Sequence, residues 1–148
     1  MNKTIIAVYG RAAEGKSTSI KLACRKLLRD FPNAVPPAEG VNDNGDILTV
    51  ITLGNVKIGF ESQGDPKSRM ISEDTLRQLA NQGCHIIICA TRTRSETVRK
   101  VDEIASEFGY NTLWLSSFWG TELNHDVLND QLSDQLIRFI TSLIVGQL

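Results

Sequence analysis

A short segment near the amino terminus has the residue types and spacing needed to bind a polyphosphate. Residues 10–17 read Gly-Arg-Ala-Ala-Glu-Gly-Lys-Ser and match the pattern G-x-x-x-x-G-K-[ST] without a mismatch. Gly10 and Gly15 permit a close backbone approach, so that successive N–H groups can face a phosphate. Lys16 can reach the β- and γ-phosphates of a nucleotide, and the Ser17 hydroxyl can ligate Mg²⁺. This segment, here called the glycine loop, therefore predicts binding of a nucleoside triphosphate with magnesium.

The other residues of the glycine loop, and the residue after it, are predicted to complete the phosphate contacts. They are Arg11, Ala12, Ala13, Glu14 and Thr18. Their backbone N–H groups and the following helix N-terminus favour a negative charge. We expect the Arg11 side chain to be mostly exposed to solvent. Thr18 has two possible roles: it is either an ordinary residue of the first helical turn or a contact near the α-phosphate.

A carboxylate at the end of a neighbouring strand is the second requirement of such a site, since it holds magnesium directly or through water. The run Val-Lys-Ile-Gly-Phe-Glu at 56–61 places Glu61 at a predicted strand end. Glu61 is our first candidate for a metal contact and for activating a water molecule, and Asp65 is the competing metal candidate. Residues 61–64, Glu-Ser-Gln-Gly, resemble the D-x-x-G switch of Ras-like GTPases, and this resemblance implies that Gln63 lies near an attacking water. The predicted metal ligands are thus Ser17, Glu61 and Asp65, and the predicted catalytic residues include Lys16, Glu61 and Gln63.

Two arginines follow another apolar run, His-Ile-Ile-Ile-Cys-Ala at 85–90. At the carboxyl end of a central strand, Arg92 and Arg94 can pair with phosphate oxygens or with an acidic substrate. We assign Arg92 to nucleotide binding and Arg94 to catalysis. The alternative is a pair of solvent-exposed loop arginines.

Aromatic and histidine residues give a weaker signal. Trp119 follows the last predicted strand, where an adenine base could stack, but we expect Trp119 and Phe118 to pack on the sheet. Trp114 alternates with leucines and is expected in the core. His85 and His125 begin a strand and a helix, and both are expected to be structural.

The rest of the chain alternates between strand and helix patterns, and these elements must position the residues above. Strands are predicted at 4–9, 46–53, 56–61, 85–90 and 111–116, with helices at 16–30, 72–82, after Ser95 and from His125 onward. Gly54-Asn55 predicts a hairpin turn. We therefore expect one domain over 1–148, an α/β fold with a three-layer α/β/α sandwich. Its sheet is expected to be mostly parallel and five-stranded, with one antiparallel hairpin strand. Ligands bind along the edge where parallel strands end.

Composition limits the partners and the compartment. A net charge of -1 over 148 residues provides no basic field to attract nucleic acid or a membrane surface. Apolar runs are too short to span a bilayer. The three cysteines lack zinc-site spacing and are expected to be reduced. With no signal-peptide pattern after Met1, these features predict a cytoplasmic protein.

Through residues 10–17 and the strand and helix around them, the chain resembles the P-loop NTPase superfamily, which includes GTPases, ATPases and small-molecule kinases. The resemblance implies Mg²⁺ and ATP, or another nucleoside triphosphate, as ligands. Residues 61–64, Glu-Ser-Gln-Gly, are similar to the D-x-x-G switch of Ras-like GTPases, with Glu in place of Asp. The guanine-binding N-K-x-D motif is missing after both late strands. ATP is therefore the expected nucleotide by elimination, and base specificity stays open.

Three functions remain open at this point. The first is a magnesium-dependent NTPase or nucleotide switch with slow hydrolysis, in which Lys16 stabilises the developing charge. The second is a kinase that transfers the γ-phosphoryl group to a small-molecule acceptor, which the arginine pair favours. The third is a module that binds nucleotide and a protein partner with negligible turnover. The acceptor, the pathway and the oligomeric state are not encoded in any motif.

Overall fold

A five-stranded mixed sheet organises the chain, as seen in a computed structural model that describes residues 1–11, 14–41, 45–64 and 68–148. The elements in chain order are β1 (Thr4–Tyr9), α1 (Lys16–Asp30), β2 (Leu48–Leu53), β3 (Val56–Glu61), α2 (Arg69–Ser72), α3 (Thr75–Asn81), β4 (Ile86–Thr91), α4 (Glu96–Phe108), β5 (Asn111–Ser116) and α5 (His125–Ile144). Among the described residues, no helix combines the length and the apolar character needed to cross a bilayer. The predicted α/β class is confirmed.

The strand order is β2-β3-β4-β1-β5, with β2 antiparallel to β3 and all other neighbours parallel. The predicted five-stranded sheet with one antiparallel hairpin strand is therefore confirmed. Because β2 runs against β3, the start of β2 lies at the edge where β3 ends, and Leu48 pairs with Glu61. The residues before β2 and the residues after β1, β3, β4 and β5 consequently meet along one edge.

Side-chain alternation along β1 divides the core into two clusters. Ile6 and Val8 pack in a cluster with apolar residues of α1 and α5. Ile5 and Ala7 pack in a second cluster with residues of α3 and α4. Burial of these residues is the main favourable term for the fold, worth about 1.5–3 kcal/mol for each large aliphatic side chain. It fixes α1, and with it the glycine loop, at the end of β1.

The segment after β3 differs from its predicted structure. The predicted single helix over 72–82 is wrong, because Ser72 is the last residue of α2 and a second helix begins at Thr75. The chain turns at Asp74, the residue just before α3, which has a left-handed φ of 51°. The amides of Ser72 and Glu73 already bond to the carbonyls of Ser68 and Arg69, so a short helical turn forms earlier than the periodicity indicates. The sequence pattern did not separate the two turns.

Other element ends agree closely with the sequence pattern. β2 begins at Leu48 rather than at 46, and β4 covers Ile86–Thr91 rather than 85–90. Ser95 caps α4 by accepting a hydrogen bond from the Thr97 amide, as predicted. The three cysteines are free and buried, and burial raises the pKa of the Cys84 thiol to about 12.

Candidate functional site

A cavity of about 470 Å³ lies at the sheet edge where the parallel strands end. Its volume is within the usual range for small-ligand sites, about 300–1,000 Å³. Its walls come from the glycine loop and the first turn of α1, from the residues beside the hairpin, and from the start of α5 with the loop before it. They are Glu14, Gly15, Lys16, Ser17, Thr18, Asp46, Ser62, Gln63, Gly64, Trp119, His125 and Asn129.

The two glycines of the loop pack closely against other segments, and Gly15 also has a left-handed backbone conformation. Gly15 has φ 79°, and a Cβ added there would overlap the carboxamide of Asn129, with its Cγ at 2.8 Å. A Cβ at Gly10 would overlap the hydroxyl of Ser117. The loop is thus held between α5 and the segment after β5, two contacts that the sequence pattern did not reveal.

Lys16 is almost fully buried, with 7% of its surface exposed. Its Nζ donates hydrogen bonds to the carbonyl oxygens of Gly10 at 2.6 Å and Thr91 at 2.8 Å. The Gly10 amide also donates to the Thr91 carbonyl, at 3.2 Å. These bonds fix the ammonium group between the loop and the end of β4. A buried cation on a cavity wall supplies the positive charge that a phosphate needs.

Ser17 is paired with a carboxylate that the sequence analysis missed. Its Oγ donates to Asp46 Oδ1 at 2.7 Å, and Ser62 Oγ donates to the same oxygen at 3.1 Å. Ser62 Oγ in turn accepts from the Ile47 amide at 2.7 Å, which fixes the hydroxyl against the start of β2. The available signal was the antiparallel hairpin, because it brings Asp46, just before its first strand, to the ligand edge.

The oxygens of Ser17, Asp46 and Ser62 suit magnesium. Mg²⁺ is commonly held by one or two carboxylates together with substrate phosphates. In the part of the chain that the structure describes, no group of three His, Cys, Asp or Glu side chains forms a metal cage. The donor set therefore fits a cation that arrives with a phosphate ligand.

Glu61, the first candidate for the metal, is fully buried and is not among the residues of the cavity wall. Its Oε1 accepts from the Gln63 amide at 2.9 Å and from Arg69 Nη2 at 3.4 Å. Burial raises the pKa of the Glu61 carboxyl, and nearby Thr75, Gln63 and Arg69 oppose that shift. Glu61 Oε2 and Thr75 Oγ1 nevertheless do not reach hydrogen-bond geometry. The geometry therefore favours Asp46 over Glu61 as the carboxylate beside Ser17.

Gln63 and Gly64 do line the cavity. The Gln63 Oε1 accepts from the Arg69 amide at 3.2 Å, which links this side chain to α2. A Cβ at Gly64 would overlap the Ala90 backbone carbonyl and lie 2.8 Å from the Ala90 Cβ. Packing against β4 therefore explains the glycine without a ligand, and Gln63 keeps its place as a candidate for orienting water.

The remaining predicted residues divide into three groups. Glu14 and Thr18 line the cavity, whereas Gly10, Arg11, Arg92 and Arg94 do not. The exposed Arg11 Nε donates to Glu14 Oε1 at 2.8 Å, and this bond is the largest cause lowering the pKa of Glu14. Arg94 is exposed, and the Arg92 amide donates to Thr97 Oγ1. Ala12, Ala13 and Asp65 lie outside the described residues.

An aromatic pair forms the wall on the α5 side. The rings of Trp119 and His125 are stacked, with centroids 3.9 Å apart and planes at 21°. His125 Nε2 lies 2.8 Å from the Gly120 carbonyl oxygen, so Nε2 carries the hydrogen, because a carbonyl only accepts. Trp119 is 49% exposed, so the expectation that it packs on the sheet is wrong. Phe118 does pack partly against the core.

The fold and the cavity define an α/β protein with a polar site at the strand ends, and comparison with known proteins adds little. No family model matches the chain, and no curated protein matches it. Among solved structures, the chain is similar to the solution NMR structure of a de novo designed PLOOP2X3_50 fold protein. The two share 16% identity with a TM-score of 0.44, over 95% of this chain and 96% of the other.

Proposed function

We propose that this protein binds a nucleoside triphosphate with Mg²⁺ in the 470 Å³ cavity and hydrolyses it slowly. One observation carries the proposal. A buried ammonium group, Lys16, and a hydroxyl–carboxylate pair, Ser17 with Asp46, line the same cavity at the start of a helix. A cation, magnesium-type oxygens and a helix N-terminus together match the chemistry of a polyphosphate.

Each residue has a defined part in this proposal. Lys16 exchanges its carbonyl partners for phosphate oxygens when the nucleotide enters. Ser17, Asp46 and Ser62 supply the oxygens that hold the magnesium. When bound, magnesium neutralises charge on the phosphate oxygens. The Gln63 carboxamide, on the same wall, orients the water that attacks the terminal phosphorus. The bond from that phosphorus to the bridging oxygen breaks, and the nucleoside diphosphate, inorganic phosphate and a proton are released.

Slow turnover follows from the charges around the cavity. Arginines that stabilise the transition state of phosphoryl transfer are worth about 10³–10⁵-fold in rate. Of the described residues that line the cavity, none is an arginine. Lys16 therefore carries most of the stabilisation, and hydrolysis is expected to be slow unless a partner contributes a further cation.

The same observations support membership of the P-loop NTPase superfamily and a three-layer α/β/α sandwich as parts of this proposal. The glycine loop connects the parallel strand β1 to α1, which is the context that the motif requires. A sandwich of this kind needs a core on each face of the sheet. One core cluster involves α1 and α5, and the other involves α3 and α4.

The kinase and partner-module hypotheses have less support. The kinase hypothesis depends on Arg92 and Arg94 reaching the phosphates, and neither lines the cavity. ATP is the expected nucleotide, although the described contacts do not select a base. A metabolite panel with ATP that yields a phosphorylated product would favour the kinase over the hydrolase.

The deciding experiment compares Lys16→Ala with Lys57→Ala. Lys57 is an exposed lysine near the start of β3, away from the strand ends that line the cavity. Calorimetry with ATP and GTP in excess magnesium should show binding to the wild type and to Lys57→Ala. Lys16→Ala should lose most of the affinity and the phosphate release. Equal binding and release by all three proteins would overturn the proposal.

A further inference from the structure

The wall of the cavity on the α5 side is chemically unlike the rest of it. Lys16, Asp46 and Gln63 offer charge and hydrogen bonds, whereas Trp119 offers a flat apolar ring. That ring is 49% exposed although one of its faces is covered by His125. A half-exposed aromatic ring beside a polar site is a surface suited to stacking.

The Trp119 ring is held in a defined orientation. His125 stacks on it, and the bond from His125 Nε2 to the Gly120 carbonyl fixes the imidazole. Asn124 caps α5 by accepting a hydrogen bond from the Val127 amide, so the helix start that carries His125 is also fixed. A platform held in this way loses little conformational entropy when a second ring stacks on it.

The distance across the cavity suits a nucleotide lying along the sheet edge. The strands β3 and β5 are separated by β4 and β1, so three strand spacings put their ends roughly 14 Å apart. Gln63 follows β3 and Trp119 follows β5, with the glycine loop between them. A nucleotide whose phosphates bind near Lys16 and Ser17 can thus extend its base towards Trp119.

We infer that Trp119, supported by His125, is the stacking platform for the base of the bound nucleotide. This inference rests on the proposed function, because the phosphates must first be bound at the glycine loop. Stacking tolerates every base, so all four nucleoside triphosphates should bind, and purines should bind more tightly through their larger rings. Such a platform needs no guanine-specific motif, which agrees with the absence of N-K-x-D from the sequence.

The test separates the base from the phosphates. Inorganic tripolyphosphate and ATP, each with magnesium, are titrated by calorimetry into the wild type, Trp119→Ala and Leu123→Ala. Leu123 is a second exposed apolar residue of the same loop and does not line the cavity. The wild type and Leu123→Ala should bind ATP about 5- to 150-fold more tightly than tripolyphosphate, the range expected for stacking one base.

In Trp119→Ala this difference should nearly disappear while the affinity for tripolyphosphate stays the same, and Trp119→Phe should restore most of it. Equal wild-type affinities for ATP and tripolyphosphate would overturn the platform and leave the phosphate site standing. A Trp119→Ala protein that loses affinity equally for both ligands would also overturn it. If the wild type binds neither ligand, the proposed function fails together with the platform.

Discussion

Two segments follow strands of the same sheet edge, and they differ in how well their polar atoms are paired. After β1, the Lys16 ammonium has two carbonyl partners, and Ser19 Oγ donates to the Gly15 carbonyl at 2.8 Å. From the end of β3 to the start of α3, five buried side-chain atoms of the described residues have no hydrogen-bond partner. They are Glu61 Oε2, Ser68 Oγ, Arg69 Nε, Asp74 Oδ1 and Thr75 Oγ1.

The difference separates described side chains that are already paired from buried side-chain atoms that are not. A buried polar atom without a partner costs about 1–3 kcal/mol, so the segment around α2 contributes less to stability than its burial indicates. A rearrangement of this segment that pairs these atoms would recover that cost, whereas moving Lys16 or Ser19 breaks hydrogen bonds that are already made. Asp46 joins the two segments, since it accepts from Ser17 on one side and from Ser62 on the other.

The largest expected effect is on the well-paired segment. Gly15→Ala combines a positive φ with overlap of the Asn129 carboxamide. A left-handed alanine costs about 1–2 kcal/mol, and overpacking adds about 1–3 kcal/mol. Gly83→Ala is the matched control, because Gly83 has φ 83° but open space around its Cα. Urea unfolding should show a clearly larger loss for Gly15→Ala, and equal losses would show that the packing against α5 contributes nothing.

The next effect concerns the residue that joins the segments. Asp46→Asn keeps the shape but removes the charge beside Ser17, so the magnesium concentration for half-maximal phosphate release should rise about 10- to 100-fold. Asp102→Asn, on the exposed face of α4, should leave this concentration unchanged. A normal magnesium requirement in Asp46→Asn would return Glu61 to the role of principal carboxylate.

The smallest effect tests the poorly paired segment through pH. Burial raises the pKa of Glu61 above its ordinary value of 4.5, so the folded state favours the protonated carboxyl. The stability from this group is fully present below the unfolded pKa and is lost as pH rises through the folded pKa. Glu61→Gln should therefore gain stability relative to the wild type between acid and neutral pH.

Glu14→Gln is the control of opposite sign for that measurement. The bond from Arg11 lowers the pKa of Glu14, so its contribution is present above the unfolded pKa and is lost as pH falls. Relative to the wild type, Glu14→Gln should lose stability as pH rises towards the ordinary pKa of 4.5, whereas the Glu61→Gln difference develops above that value. The comparison between the two segments is contradicted if the free energy of unfolding of Glu61→Gln differs from that of the wild type by the same amount at every pH.

Much of the fold could be predicted because periodicity and turn residues act locally. The patterns gave β1, α1, β3 and β5 with their observed ends, and Gly54-Asn55 marked the hairpin. The lateral order of the strands could not be predicted, since a buried strand such as β4 carries no signal that places it between β3 and β1. The split between α2 and α3 was also missed, because the left-handed turn at Asp74 breaks no hydrophobic pattern.

By itself, the sequence determined the glycine loop, because two glycines, a lysine and a serine at fixed spacing act through their own backbone and adjacent side chains. Only the tertiary structure decided what surrounds them. It brought Asp46 to Ser17, Asn129 to Gly15 and His125 to Trp119. These pairs depend on how the hairpin and α5 pack against α1 and the sheet. Packing between distant segments is set by the complementarity of whole surfaces, and no short sequence pattern encodes that complementarity.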